Sequence, residues 1–172
     1  MTRAIVGVEK SLRIAMGSNN KLSRMIHSDT FKSVDFNGAK GIVFLLDKML
    51  VYRRDYKTTY SPGHIDLPGG GREGDESPYE TFQREVKEEF DLDINKDEIE
   101  FSCKIPSIME PGKTSFFVVV KTKRFKPEDI TLGNEGSEWL LITTEEFIAR
   151  PDGIKRQQDR VRKYLAGTLV SK

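Results

Sequence analysis

Two apolar runs, separated by a short polar pair, are the first clear elements of the chain. Gly41–Leu46 and Met49–Arg53 are rich in β-branched, aromatic and aliphatic residues, and only Asp47 and Lys48 separate them. Runs of this composition with a two-residue polar link are typical of an antiparallel hairpin. The pattern therefore predicts two paired strands, followed by a loop over residues 58–63.

The pattern changes to a helical period after Glu76. Ser77 precedes Pro78 and stands three residues before Glu80, an arrangement that favours a helix start with a capping box. Apolar side chains then recur at three- and four-residue intervals and give one apolar face. These positions are Tyr79, Phe82, Val86 and Phe90. The sequence therefore predicts a helix from Ser77 to Phe90.

The second half of the chain alternates strands with helices. Predicted strands cover 99–108, 115–123 and 139–142, and predicted helices cover 144–148, capped by Thr144, and 154–165. The N-terminal segment, residues 1–35, is an extension with one predicted short helix from Asn19 to Ile26. Strands with interspersed helices and one hairpin indicate an α/β fold whose mixed sheet is covered on both faces. The length of 172 residues fits a single domain.

The composition argues against several classes of partner. Lys and Arg number 28 against 27 Asp and Glu, so the formal net charge is +1 and no global field favours nucleic acid or a membrane. A phosphate-bearing ligand would need local charges or a metal. The single Cys103 excludes an internal disulfide. With no signal peptide and no transmembrane run in the sequence, we expect a cytoplasmic protein.

Three glutamates on the predicted helix carry the candidate chemistry. Glu85, Glu88 and Glu89 are spaced i, i+3 and i+4, so their carboxylates share one face. Like charges at this spacing weaken a helix by roughly 0.2–0.5 kcal/mol per pair, which a divalent cation would offset. Such a face is most often only solvated surface. Here, however, a glycine-rich bend at Gly69–Gly71 directly precedes the helix, in a place suited to phosphate binding.

The segment from Gly70 to Leu92 resembles the signature of the Nudix hydrolases. That signature is Gly, five residues, Glu, seven residues, then Arg-Glu-aliphatic-any-Glu-Glu-any-Gly-aliphatic, and eight of its nine specified positions are met. The matching residues are Gly70, Glu76, Arg84, Glu85, Val86, Glu88, Glu89 and Leu92. Asp91 replaces the usual Gly, but Asp tolerates the left-handed turn that ends such a helix. The resemblance implies a Nudix-type α/β/α sandwich with a central mixed β-sheet, as a single domain over residues 1–172.

The resemblance also implies roles for individual residues. Mg²⁺, or alternatively Mn²⁺, would be held by the carboxylates and by one backbone carbonyl, and Arg84 would orient a carboxylate by its forked guanidinium. The implied metal ligands are Gly70, Glu85, Glu88 and Glu89. Glu76 would belong to the same network, to an outer metal site or to the substrate site. Its other interpretation is an exposed residue before a helix.

Glu135 is a second candidate for the chemistry. Glu135-Gly136 before Glu138-Trp139 resembles the loop that supplies an additional acidic group in MutT-like members, although acidic turns before strands are also common. Either Glu85 or Glu135 would accept the proton of an attacking water, and the sequence does not decide between them.

Substrate contacts are predicted ahead of the glycine bend. Arg54, with Arg53 and Lys57, stands where a cation can reach a phosphate, unless these residues are only the basic end of a strand. Phe116 or Phe117 could stack on a base, but aromatic residues in an apolar strand more often belong to the core.

The predicted function is Mg-dependent hydrolysis of a diphosphate bond in a small nucleoside diphosphate-linked molecule. The resemblance allows nucleoside triphosphates, including oxidised ones, and the alternatives of ADP-ribose, dinucleoside polyphosphates and nucleotide sugars. By the same resemblance, the Glu135-Gly136 loop favours triphosphates, whereas Pro106 favours ADP-ribose, because it lies near the place where ADP-ribose-cleaving members tend to carry a proline. The rivals are a non-catalytic nucleotide-binding Nudix-like module and a diphosphate isomerase, which would need a Cys beside the acids. A homodimer is a possible assembly, since many relatives pair.

Overall fold

The structure is a computed structural model that describes residues 35–107 and 109–169. Within these ranges it contains the strands β1 (Gly38–Leu45), β2 (Lys48–Arg54), β3 (Ile65–Asp66), β4 (Gly69–Gly71), β5 (Ile99–Pro106), β6 (Thr114–Thr122) and β7 (Gly136–Ile142). Its helices are α1 (Pro78–Phe90), α2 (Thr144–Ala149) and α3 (Lys155–Leu165), with short 3₁₀ turns at Lys96–Glu98 and Pro127–Asp129. The helix predicted at Asn19–Ile26 lies outside the described residues.

The strands form one mixed sheet with β1 near its middle. The strand order is β3-β2-β1-β6-β5, while β4 pairs with β1 and β7 pairs with β2. The predicted hairpin is confirmed, because β1 and β2 are antiparallel with Val43 opposite Leu50 and Leu45 opposite Lys48. β1 and β6 are parallel, whereas β5 and β6 are antiparallel. The central sheet is therefore mixed, as predicted.

Helices cover both faces of this sheet. α1 covers one face, where Phe90 packs edge-on against Tyr52 of β2 with ring centroids 5.8 Å apart. On the other face, Phe147 of α2 and Val161 of α3 complete a buried core. The strand residues of that core include Ile42, Met49, Val51, Cys103, Ile105, Phe117 and Val119. The α/β/α layering is confirmed. None of the helices in the described part of the chain is long and apolar enough to cross a bilayer.

Some predicted boundaries were wrong. β7 begins at Gly136 and not at Trp139, because the residues before Trp139 already pair with the end of β2. Thr143, not Thr144, caps α2, since its hydroxyl accepts a hydrogen bond from the backbone N–H of Glu146. The pieces β3 and β4 were not predicted, because two- and three-residue strands have no readable period.

Both ends of α1 are fixed by local chemistry. The Ser77 hydroxyl accepts from the backbone N–H of Glu80, whose carboxylate accepts from the Ser77 N–H at 2.7 Å, so the predicted capping box is present. At the other end Asp91 adopts a left-handed conformation with φ 57°, and its N–H donates to the Lys87 carbonyl. Asp91 therefore forms the cap that glycine usually forms.

We expect Asp91→Ala to lower the free energy of unfolding by about 1 kcal/mol relative to Asp91→Gly, because alanine is strained at positive φ. Both variants lose the exposed ion pair with Lys87. The difference between their free energies of unfolding therefore measures the backbone strain alone. Chemical denaturation measures it, and equal stability of the two variants would contradict the assigned strain.

Candidate active site

A pocket of about 500 Å³ opens at the end of the sheet where β1 begins and β5 ends. Both helical layers contribute to its wall. α1 supplies Arg84, Glu85 and Glu88, and α3 supplies Gln157 and Arg160. Cavities of this size hold small organic ligands. The pocket therefore joins the predicted carboxylate cluster to residues from the opposite side of the sheet.

Glycines let the chain bend closely against α1. Gly69 has φ +116°, a conformation that other residues rarely adopt. A Cβ atom on Gly70 would lie 2.5 Å from Oε2 of Glu85, and one on Gly38 would collide with the carbonyl oxygen of Gly70. The missing side chains therefore let the Glu85 carboxylate approach the bend, and they keep Gly38 from covering the Gly70 carbonyl.

Arg84 lines the pocket and donates hydrogen bonds to four residues. Its Nε donates to Glu76 Oε1 at 2.8 Å, and its Nη2 donates to the carbonyl of Gly71 at 2.6 Å. Its Nη1 donates to Glu85 Oε1 and to Glu88 Oε2, each at 3.0 Å. The hydrogen bond with Glu76 is the largest cause of a raised pKa for Arg84. Burial opposes ionisation of Glu76, but the bonds that it accepts lower its pKa overall.

Glu89 is an enclosed carboxylate, only 4% exposed. Its Oε2 accepts the backbone N–H of Gly69 at 3.0 Å, while its Oε1 has no hydrogen-bond partner among the described residues. Burial raises the pKa of Glu89 to about 8, although the charge of Lys40, the Gly69 N–H and the Tyr52 hydroxyl act in the opposite direction. Burial also raises the pKa of Glu85 against the opposing effect of Arg84. An enclosed oxygen without a partner is costly unless it is protonated or binds a cation.

The donor set fits a hard divalent cation. It offers carboxylates, a backbone carbonyl and the unpartnered Oε1 of Glu89, and Mg²⁺ prefers oxygen ligands of this kind. Within residues 35–107 and 109–169, however, no three His, Cys, Asp or Glu side chains form a ready metal-holding group. Arg84 donates to both Glu85 and Glu88, so it holds two of the three helix carboxylates in ion pairs. Glu88 has a side chain 58% exposed, so it can reorient without disturbing the core.

The segment that carries Glu135 is tied to the end of α1. The N–H of Thr131 donates to the carbonyl of Phe90 at 3.1 Å, and the N–H of Gly133 donates to that of Glu89 at 2.8 Å. Glu135 follows two residues later and lines the pocket as an exposed side chain. It has no ion pair or side-chain hydrogen bond with any described residue. The structure therefore brings Glu135 to the same pocket as Glu85 and Glu88.

Arg54 also lines the pocket, but much of its guanidinium is occupied. It donates to Tyr60 O at 2.9 Å, to Thr58 Oγ1 at 2.8 Å and to Asp66 Oδ2 at 3.2 Å. These bonds hold the loop that follows β2. Neighbouring Arg53 is not in the pocket lining and pairs with Glu138 and Asp152, while Lys57 and His64 also lie outside that lining.

Sequence reasoning missed several polar residues of the pocket, among them Lys40, Asp66, Gln157 and Arg160. Asp66 is 1% exposed and pairs with Lys40 at 3.1 Å as well as with Arg54. Lys40 also donates to the carbonyl of Gly69 at 2.6 Å. Each of the two places a charge in an apolar strand, a signal that could have marked them as unusual but not placed them in the pocket. Gln157 and Arg160 gave no such signal, because a basic helix face is usually solvated.

The chain matches the family model of the NUDIX domain over residues 36–164. A search of curated proteins finds no match. Among solved structures, the MutT protein of Methanosarcina mazei Go1 has a TM-score of 0.63 and 20% identity, over 80% of this chain and 98% of that chain. A C. elegans Ap4A hydrolase has a TM-score of 0.57 and 20% identity, over 76% and 96% of the two chains.

A bifunctional NMN adenylyltransferase/ADP ribose pyrophosphatase from Francisella tularensis, complexed with AMP and a Mn ion, has a TM-score of 0.60 and 15% identity. The alignment covers 92% of this chain and 49% of that chain. At these identities the structural matches show the fold, and the family model shows the family. The chain belongs to the Nudix family and is a hydrolase of phosphorus-containing anhydrides.

Proposed function

We propose that the protein uses Mg²⁺ to hydrolyse a diphosphate bond in a small nucleoside diphosphate-linked substrate. The observation that carries this proposal is the buried, unpartnered Oε1 of Glu89 beside the glycine bend. Together with Glu85, Glu88 and the Gly70 carbonyl, it would hold the ion, for which Mn²⁺ is an alternative. When bound, the ion would neutralise the negative charge of the phosphate oxygens, because that charge otherwise repels a nucleophile.

The remaining residues of the network position these ligands. Arg84 contacts Glu85 and Glu88 and is itself held by Glu76, so it sets where the carboxylates stand. The bonds between Glu76 and Arg84 support a positioning role for Glu76. Arg54 retains one Nη2 N–H without an assigned acceptor and lines the pocket, which supports its binding of a substrate phosphate.

Glu135 is the proton acceptor in this proposal. A general base must be free to bind the attacking water. One oxygen of Glu85 already accepts from Arg84, whereas the carboxylate of Glu135 has no partner among the described residues. Water would attack one phosphorus in line and break its bond to the bridging oxygen, which releases a nucleoside monophosphate and the other phosphate-bearing fragment as separate products. Among substrates, the Glu135-Gly136 loop favours nucleoside triphosphates, including oxidised ones, over ADP-ribose and nucleotide sugars.

The double variant Glu88→Gln/Glu89→Gln should lose at least about 100-fold in kcat, because metal ions contribute several kcal/mol to such reactions. Product chromatography on a panel of triphosphates, ADP-ribose and nucleotide sugars with Mg²⁺ measures turnover. Glu128→Gln, an exposed residue outside the pocket, is the matched control. Turnover near wild type in the folded double variant would defeat the assignment, and tight nucleotide binding without turnover in the wild type would favour a binding module.

Gly70→Ala should weaken Mn²⁺ affinity about 10- to 100-fold, because the added methyl displaces the Glu85 carboxylate from the bend. Calorimetric titration with Mn²⁺ measures the affinity. Gly71→Ala is the control, since a Cβ atom there meets nothing within 4 Å. Equal affinity in the two variants would show that Glu85 does not bind the ion.

Glu135→Gln should lower kcat about 100-fold or more and leave Mn²⁺ affinity unchanged, because the amide cannot accept a proton. Kinetics on the best substrate of the panel, beside a Mn²⁺ titration, separates the two effects. An unchanged kcat would transfer the role of base to Glu85, and a loss of Mn²⁺ affinity would make Glu135 a ligand.

A further inference from the structure

Arg160 is a cation of the pocket that lacks an ion-pair partner in the described part of the chain. Its Nη1 donates to Gln157 Oε1 at 3.0 Å and its Nη2 to the carbonyl of Pro106 at 3.3 Å. A guanidinium has five N–H donors, so three of them remain. Burial lowers the pKa of Arg160 to about 10, which leaves it cationic at neutral pH. A half-buried charge without a counter-charge is costly, so an anion in the pocket would stabilise it.

Gln157 provides a second unsatisfied donor at the same place. It is 3% exposed and lines the pocket one helical turn before Arg160. Because arginine can only donate, the Gln157 atom that faces Arg160 must be the amide oxygen. The amide –NH₂ then has no acceptor among the described residues. Two side chains of α3 therefore offer only donors to the pocket.

The acidic group that acts most strongly on Arg160 is already neutralised. The charge of Asp66 raises the pKa of Arg160, but Asp66 itself is bridged by Lys40 and Arg54. This end of the pocket therefore keeps an excess of positive charge. The carboxylates of α1 line the same pocket from the opposite layer of the fold.

We propose that Arg160 and Gln157 bind an acidic group of the substrate, a phosphate or a carboxylate, that lies away from the bond that is cut. This inference rests on the proposed function and extends it. The substrate class becomes nucleoside diphosphate derivatives that carry one further anionic group.

Substrate pairs that differ by a single anion test the proposal. ATP against ADP and NADPH against NADH each add a phosphate, and UDP-glucuronate against UDP-glucose adds a carboxylate. We expect the wild type to favour the charged member of at least one pair about tenfold or more in kcat/KM. Arg160→Gln should reduce that ratio to about one, while Arg156→Gln, an exposed arginine of α3 outside the pocket lining, should retain it. No preference in the wild type, or an equal ratio in Arg160→Gln, would overturn the proposal.

A binding measurement separates this site from the hydrolytic function. Inorganic phosphate is titrated calorimetrically into protein kept metal-free by EDTA. The Arg160→Gln variant should bind phosphate at least about tenfold more weakly than the wild type and Arg156→Gln. If phosphate binding differs in this way but no nucleotide is hydrolysed, the proposed function is refuted and the anion site is retained. Equal binding by all three proteins would refute the anion site alone.

The variant Gln157→Glu tests whether misfolding causes a loss of phosphate affinity. The new carboxylate would pair with Arg160 and occupy it from within, so phosphate affinity should fall while the melting temperature stays at or above that of the wild type. Undiminished phosphate affinity in this variant would contradict the site.

Discussion

The close approach of α1 to the glycine bend is the constraint on which the pocket depends. Gly69 takes a positive φ, and any side chain at Gly70 would strike the Glu85 carboxylate. The Gly69 N–H also donates to Glu89, so the bend holds a helix carboxylate in the interior. A larger residue at Gly70 would push the helix acids away from the backbone carbonyls. The spacing between Gly70 and the glutamates is therefore set by packing as well as by chemistry.

The negative charge of the α1 carboxylates needs nearby cations even without a metal ion. Arg84 provides it for Glu85 and Glu88 by direct hydrogen bonds. Lys40 contributes from β1, since its charge lowers the pKa of both Glu85 and Glu89 against the effect of burial. Glu89 is the glutamate whose charge these cations offset least, because no cationic side chain within residues 35–107 and 109–169 hydrogen-bonds its carboxylate. The network stabilises the site yet leaves one oxygen available to a cation.

The part of the site that is local in sequence could be predicted, and the part that depends on the fold could not. The capping box at Ser77 and the left-handed cap at Asp91 follow from short-range rules, and both are present. The i, i+3, i+4 spacing likewise predicts which acids share a face. In contrast, Asp66 becomes a pocket residue only because β3 pairs with β2 and brings it opposite Tyr52. No pattern in the sequence predicts that Asp66 pairs with Tyr52.

The two helical layers contribute different residues to the pocket, and this explains why only some of them could be predicted from the sequence. The proposed metal ligands come from β4 and α1, which lie within one short segment whose spacing is visible in the sequence. Arg160 and Gln157 come from α3, on the far side of the sheet, and reach the pocket only because β1, β5 and β6 end or begin there. The proposed metal ligands are fixed by local geometry, whereas the proposed base Glu135 and the two α3 residues reach the pocket only through the fold. Substrate choice can therefore change on this scaffold while the chemistry of the diphosphate bond stays the same.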